Sequence, residues 1–234
     1  MRRVLSETDL REFRDRVCTV ATELLAERGH DGFNMRELAA RLGVSAMTTY
    51  RYFNGKNEIF AALRIQAINS LAGRLETFLD LSGLPLERMM AFCRGYVDFA
   101  LEDSIRYRNM FDHPQPQIVR ATDLIGAERR MFRAIAEQVG LFIRCGRCEG
   151  GFERLAWNLW ASLHGLAALT LVGAIHEPEL DGLILDTIGR IAGQGGSPAG
   201  SGHNVPGSAT EWQPNWTNYA NGKPAGWIAV GAAE

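Results

Sequence analysis

Between Ser45 and Lys56 the chain reads SAMTTYRYFNGK, and the side chains there that could do chemistry are hydroxyls, phenols and cations. Thr48, Thr49, Tyr50, Arg51 and Tyr52 follow one another with no carboxylate among them, and Lys56 comes one turn later. Such a run suits a polyanion whose base edges offer mixed donors and acceptors. No nucleophile with a matching base, no glycine loop for phosphate and no carboxylate pair accompanies it. The expectation is therefore a binding protein and not an enzyme, with no catalytic residue and no cofactor. Cys145-Gly-Arg-Cys148 is the other reactive pattern. A structural zinc needs about four ligands, and nothing near in sequence completes the set, so no metal is expected. Arg144 and Arg147 could lower a thiol pKa there, which leaves a thiol-based redox or metal sensor as the alternative to two cysteines in an interhelical turn.

The elements that must position the Thr-Tyr-Arg run are two short helices. Asn34 can cap the first, and Glu37 three residues later completes a capping box. Met35, Leu38, Ala39 and Leu42 recur at helical spacing and form one apolar stripe. Gly43 suits the left-handed conformation that ends a helix. Val44 plugs the corner, and Ser45 can cap a second helix running to about Phe53. Helix, glycine-containing turn and second helix make the helix-turn-helix layout, whose second helix fits the major groove. An upstream helix from Ser6 or Thr8 to Gly29 supplies core through Phe13, Val17, Val20, Ala21, Leu24 and Leu25, joined by Phe33.

In these residues the sequence resembles the TetR family of bacterial transcriptional repressors. The likeness rests on LAARLGVS, the Tyr50-Arg51-Tyr52-Phe53 run, and Lys56 opening a helix with Ile59, Phe60 and Leu63. It is close over residues 10–65 and looser up to about 193. The resemblance implies a homodimer on a double-stranded DNA operator, released by a small-molecule effector. By position it implies base-edge contacts from Arg36, Met47, Thr48 and Arg51, with apolar contact from Ala46. Ser45 belongs to the same DNA-binding set, and Tyr50, Tyr52 and Lys56 would hold phosphates. Thr49 departs from the pattern, since the family usually places a large apolar residue there.

Composition agrees with a folded chain without forcing the partner. At 234 residues, with 46% hydrophobic and 22% charged residues, a sizeable core can be buried. Net charge is −2, divided as +2 over residues 1–66 and −4 beyond. A mildly basic head on an acidic body has the right sign for DNA at one end. The start, MRRVLSETDLRE, lacks the apolar run of a secretory peptide, and Leu163–Ile175 is too short for a membrane span. The expectation is a cytoplasmic protein with no membrane partner.

Helical periodicity continues past Lys56, while strand-like alternation is absent. Helices are expected over Asn57–Leu79, Leu86–Leu101, a short stretch closing at Phe111, Val119–Ile143, Phe152–Ile175 and Glu179–Ala192. The expected fold is all-α with about nine helices. Residues 1–56 would form the three-helix DNA-binding domain and 57–193 a helical ligand-binding and dimerisation domain. Residues 194–234, rich in glycine and proline, are expected to form a poorly ordered tail despite several tryptophans. The resemblance implies an effector cavity among the middle helices, where Tyr96, Phe99, Tyr107, Met110, Phe111, Phe132 and Trp157 are candidates. Trp160-Ala-Ser-Leu-His164-Gly165 resembles a Trp-His-Gly signature of one subfamily's C-terminal domain. With Ala161 and Ala168, it is assigned to the dimer interface that the last two long helices imply.

Overall fold

The computed structural model describes residues 7–111, 121–144, 152–194, 212–214 and 227–229. Among them are nine helices: α1 (Glu7–Gly32), α2 (Met35–Arg41), α3 (Ala46–Tyr50), α4 (Lys56–Glu76), α5 (Pro85–Glu102), α6 (Ser104–Phe111), α7 (Ala121–Arg144), α8 (Phe152–Leu171) and α9 (Glu177–Gln194). The chain is all-α, as its periodicity requires. The single non-helical pairing described is a short antiparallel ladder, β1 (Trp212–Pro214) with β2 (Trp227–Ala229), in the register Trp212↔Ala229. The rest of 195–234, expected as a poorly ordered tail, lies outside the described residues, as do Cys145 and Cys148.

The chain divides into two compact units. One comprises Met1–Ile68 and Asp103–Leu124; the other comprises Asn69–Glu102 and Ile125–Glu234. Helix α4 begins in the first, and its residues from Asn69 belong to the second.

In the first unit Val17, Ala21, Leu24, Phe33, Leu38, Leu42, Phe53, Ile59, Phe60 and Leu63 form one buried cluster. Each of these side chains larger than alanine contributes about 1.5–3 kcal/mol when removed from water. Helix α1 runs three residues beyond the expected stop, although Gly29 leaves helical geometry at φ 66° and ψ −179°. Helix α6 packs on α1.

In the second unit α5, α8 and α9 pack on one another. Phe92, Tyr96, Leu159, Leu163, Ile184 and Ile188 are among the residues they bury. Gly95 on α5 is a close approach: a Cβ placed there would stand 2.4 Å from the Phe78 ring. Helix α8 stops at Leu171, short of the expected Ile175, because Gly173 takes φ 75° and the Ala174 amide turns back to the Leu169 carbonyl at 2.9 Å. Helix α4 likewise stops at Glu76, with residues 77–80 continuing as turns. No described helix is long and apolar enough to cross a membrane.

Candidate nucleic-acid interface

The turn between α2 and α3 is built by its termini. Asn34 Oδ1 accepts from the Glu37 amide at 2.8 Å, which starts α2. The return bond of the expected capping box differs: Glu37 Oε2 accepts from the Asn34 side-chain amide at 3.4 Å, while its carboxylate also meets Arg28 and Arg41. At the other end Gly43 takes φ 68°. Its amide donates to Ala40 and the Val44 amide to Ala39, at 3.1 and 3.0 Å. That pair of backward bonds is the Schellman geometry, and only a residue tolerant of positive φ closes it cheaply. Ser45 then caps α3, its hydroxyl accepting from the Thr48 amide at 3.2 Å. The Ser45 and Thr48 hydroxyls also bond to each other at 2.9 Å.

Helix α3 is shorter than expected. It ends at Tyr50, and Arg51 caps it, while the Phe53 amide still reaches the Thr49 carbonyl at 3.0 Å. Phe53, 1% exposed, packs in the core just beyond it. Thr49, the departure from the family pattern, faces the core with no exposure, and its hydroxyl donates to the Ala46 carbonyl at 2.7 Å. Satisfying the hydroxyl within the helix removes the cost of burying it, so Thr49 stands where an apolar residue would.

Burying Thr49 and Phe53 turns the other side of α3 outward. Met47 is 73% exposed and Tyr50 is 53% exposed, large values for such side chains, and Arg51 is exposed beside them. Arg36 on α2 and Lys56 at the start of α4 are exposed as well. Arg36, Tyr50 and Lys56 line one open concavity with Phe33, Asn34 and Met35. Among the described residues no carboxylate forms an ion pair with Arg36, Arg51 or Lys56. Arg41, in contrast, is neutralised by Glu27 and Glu37, and its guanidinium holds the Glu27 carboxyl below the usual range. The surface therefore presents three uncommitted cations beside Met47 and a phenol, the complement of a phosphate backbone. Ala46, Thr48 and Tyr52 are half-buried, and the Tyr52 ring stacks on Phe13 with centroids 4.3 Å apart.

The predicted effector residues are divided between the two units. In the second unit Phe132 and Trp157 stack at 4.5 Å, and Trp157 and Trp160 at 5.0 Å. Trp160 Nε1 donates to the Tyr96 hydroxyl at 3.0 Å, and Phe99 follows one turn after Tyr96 on α5. Tyr107, Met110 and Phe111 lie on α6 in the first unit, where the Tyr107 and Phe111 rings meet at 5.2 Å. Trp160, expected on the dimer face, has its indole engaged within its own chain. Ala161 and Ala168 are exposed, His164 and Gly165 half-buried, and beyond them Leu169 and Val172 are 48% and 70% exposed. On α9 Leu185 is 48% exposed.

Two features escaped the sequence. Arg14 on α1 reaches residues 38 and 44 positions away, and Arg94 on α5 gathers Asp98, Glu177 and Asp181. Only the Arg94–Asp98 spacing of four was legible in advance. Both described cysteines are buried, which pushes the Cys18 thiol up to about 11 and Cys93 higher still.

Residues 18–63 match the model for bacterial regulatory proteins of the tetR family. Residues 89–187 match the model for tetracyclin repressor-like C-terminal domains. The HTH-type transcriptional activator FasR of Mycolicibacterium smegmatis is 28% identical over 110 residues, 46% of this chain and 50% of that protein. The chain spans about half the length of the curated relatives it matches. Among solved structures, a protein of unknown function from Rhodococcus sp. RHA1 superposes with TM-score 0.67 at 22% identity, covering 79% of this chain and 95% of that one. PfmR of Thermus thermophilus, a TetR family transcriptional regulator, gives TM-score 0.58 at 18% identity over 76% of this chain and 95% of its own.

Proposed function

The chain belongs to the TetR family, whose fold is that of transcriptional regulators, and we propose that it is a homodimeric repressor released from a palindromic operator by a small-molecule effector. The observation that carries the reading is the α3 surface: Met47, Tyr50 and Arg51 exposed, with Arg36 and Lys56 flanking and none of the three cations engaged by a carboxylate among the described residues. Arg36, Met47, Thr48 and Arg51 read base edges, Ala46 offers apolar contact, Ser45 caps α3, and Tyr50, Tyr52 and Lys56 hold phosphates.

The exposed apolar residues Ala161, Ala168, Leu169 and Val172 of α8 and its C-terminal turn, with Leu185 of α9, support a two-fold helical interface between copies. Such a dimer sets its two α3 helices about 34–36 Å apart, one turn of DNA. The aromatic cluster of Tyr96, Phe132, Trp157 and Trp160 supports an effector site in the second unit. An effector acts by binding the two head spacings with different affinity, with a coupling of about 1–3 kcal/mol that is reciprocal with DNA.

Selection of duplexes from a random-sequence library by the whole protein tests this reading. The expected product is a set with dyad symmetry, bound two chains per duplex by sedimentation. An enriched set without symmetry, or one chain per site, overturns the dimer; no enrichment overturns the reading. An activator is the second reading, favoured by the name of the FasR relative. In vitro transcription from a promoter bearing the selected site separates the two by its sign.

A further inference from the structure

Arg14 is a partly exposed cation on α1, 38% accessible at its side chain, and both of its Nη atoms are nevertheless engaged. Its Nη1 donates to the Tyr52 carbonyl at 3.0 Å, just past the end of α3. Its Nη2 meets Glu58 Oε1 at 3.5 Å, in the first turn of α4. The guanidinium carbon lies over the Phe53 ring, 4.3 Å from its centroid. Glu58 in turn accepts from the Asn54 amide at 2.7 Å through its other oxygen. One cation thus touches the residue just past α3, the aromatic that plugs the core behind it, and the carboxylate that opens α4.

The connection it spans is short. Only residues 51–55 separate α3 from α4, and Gly55 takes φ 97°. Helix α3 has five residues, too few to hold its own shape, so its orientation depends on the burial of Thr49 and on what grips its ends. Ser45 grips the first end; Arg14 and Glu58 grip the second. The neighbouring Asp15 accepts from Gln66 of α4 at 3.3 Å, so adjacent residues of α1 fasten α4 at two levels.

Resting on the DNA-binding reading above, we propose that Arg14 is a positioning residue for sequence reading, clamping the end of α3 to the first turn of α4 through Glu58 so that the reading helix and Lys56 move as one body. It contacts no base and no phosphate. A displacement of α4 reaches α3 through this clamp, and its loss leaves the cations in place but the base-reading side chains unaligned. A partly exposed charged hydrogen bond is worth up to about tenfold in an equilibrium, so the effect is measurable.

The experiment uses the whole protein, one duplex selected by the wild type, and a scrambled duplex of the same length. Arg14→Ala should weaken the selected duplex by about tenfold while leaving the scrambled duplex and the salt slope unchanged. Arg14→Lys keeps one of the two bonds and should fall between. Glu58→Gln should act in the same direction, and combining it with Arg14→Ala should add little, because the two residues form one clamp. A parallel loss on both duplexes, with the salt slope reduced by about one, would make Arg14 a phosphate contact and overturn the proposal. Unchanged discrimination in Arg14→Ala, or additive effects in the double variant, also overturns it. Thermal unfolding identifies any variant that fails to fold, and Arg14→Lys then carries the same criteria. A wild type that selects no duplex defeats the regulator reading itself, which distinguishes that failure from failure of the clamp.

Discussion

Trp160 on α8 donates its indole N–H to the hydroxyl of Tyr96 on α5 at 3.0 Å. Tyr96 is fully buried, so the bond gives a donor to a phenol oxygen that water cannot reach, and it ties two helices of the second unit across 64 positions of sequence. Tyr96→Phe should therefore cost about 1–3 kcal/mol of unfolding free energy, the penalty for orphaning a half-buried donor. Urea titration followed by tryptophan fluorescence measures it. A variant as stable as the wild type would mean that the indole finds another acceptor.

Gly95 and Gly165 should respond oppositely to alanine. At Gly95 the added methyl meets the Phe78 ring, and the overpacking should cost about 1–3 kcal/mol. At Gly165 a Cβ meets nothing within 4 Å in the single chain, so the monomer should gain about 0.5–1 kcal/mol of helix stability. If α8 forms the interface between copies, the same methyl should weaken dimerisation. Sedimentation equilibrium beside thermal unfolding reads both, and a Gly165→Ala protein that dimerises as well as the wild type removes that residue from the interface.

The division of labour on the DNA face is also measurable. Arg51→Ala should lower specific binding by about 1–3 kcal/mol and relax base preference, as expected for a bidentate guanine contact. Lys56→Ala should weaken all sequences alike and reduce the salt slope by about one. The reverse pattern would exchange their roles.

Stability should fall in acid for a stated reason. Hydrogen bonds from Arg41, Arg130 and Arg74 hold the Glu27, Glu76 and Glu102 carboxyls below their ordinary range. Their contribution is present above the unfolded carboxylate range and disappears as pH falls through the folded values. These groups are largely exposed, so the fall is gradual and should shrink in high salt. Unfolding midpoints from near neutrality down into the carboxylate range, at low and high salt, check the direction. A midpoint that rises on acidification would show that repulsion among other charges dominates.

The Cys18 thiol, pushed up to about 11 by burial, favours its neutral form in the fold. Its contribution is complete below its ordinary value and is lost as pH rises toward 11. Alkylation in mildly alkaline buffer should therefore leave Cys18 and the fully buried Cys93 unmodified until the protein unfolds. Modification of either in native protein would reveal an opening of the core.

What the sequence determined by itself was whatever depends on neighbours within about one helical turn. Asn34 and Ser45 as caps, Gly43 as a stop, and the stripes of Leu38, Leu42, Ile59 and Leu63 are local, because a helix places residues three and four apart on one face. The nine described helices and the outward side of α3 follow from those periods. Tertiary structure decided the rest. It turned Thr49 inward with no exposure and set Phe53 in the core just beyond α3. It placed Tyr96, Phe132 and Trp157 in one unit and Tyr107, Met110 and Phe111 in the other. It also joined the Trp160 indole to Tyr96 and gave Arg14 its bonds to Tyr52 and Glu58. Those partners stand between 38 and 64 residues apart, and no period of a helix connects them. Only the packing of one helix on another brings such residues within hydrogen-bonding reach.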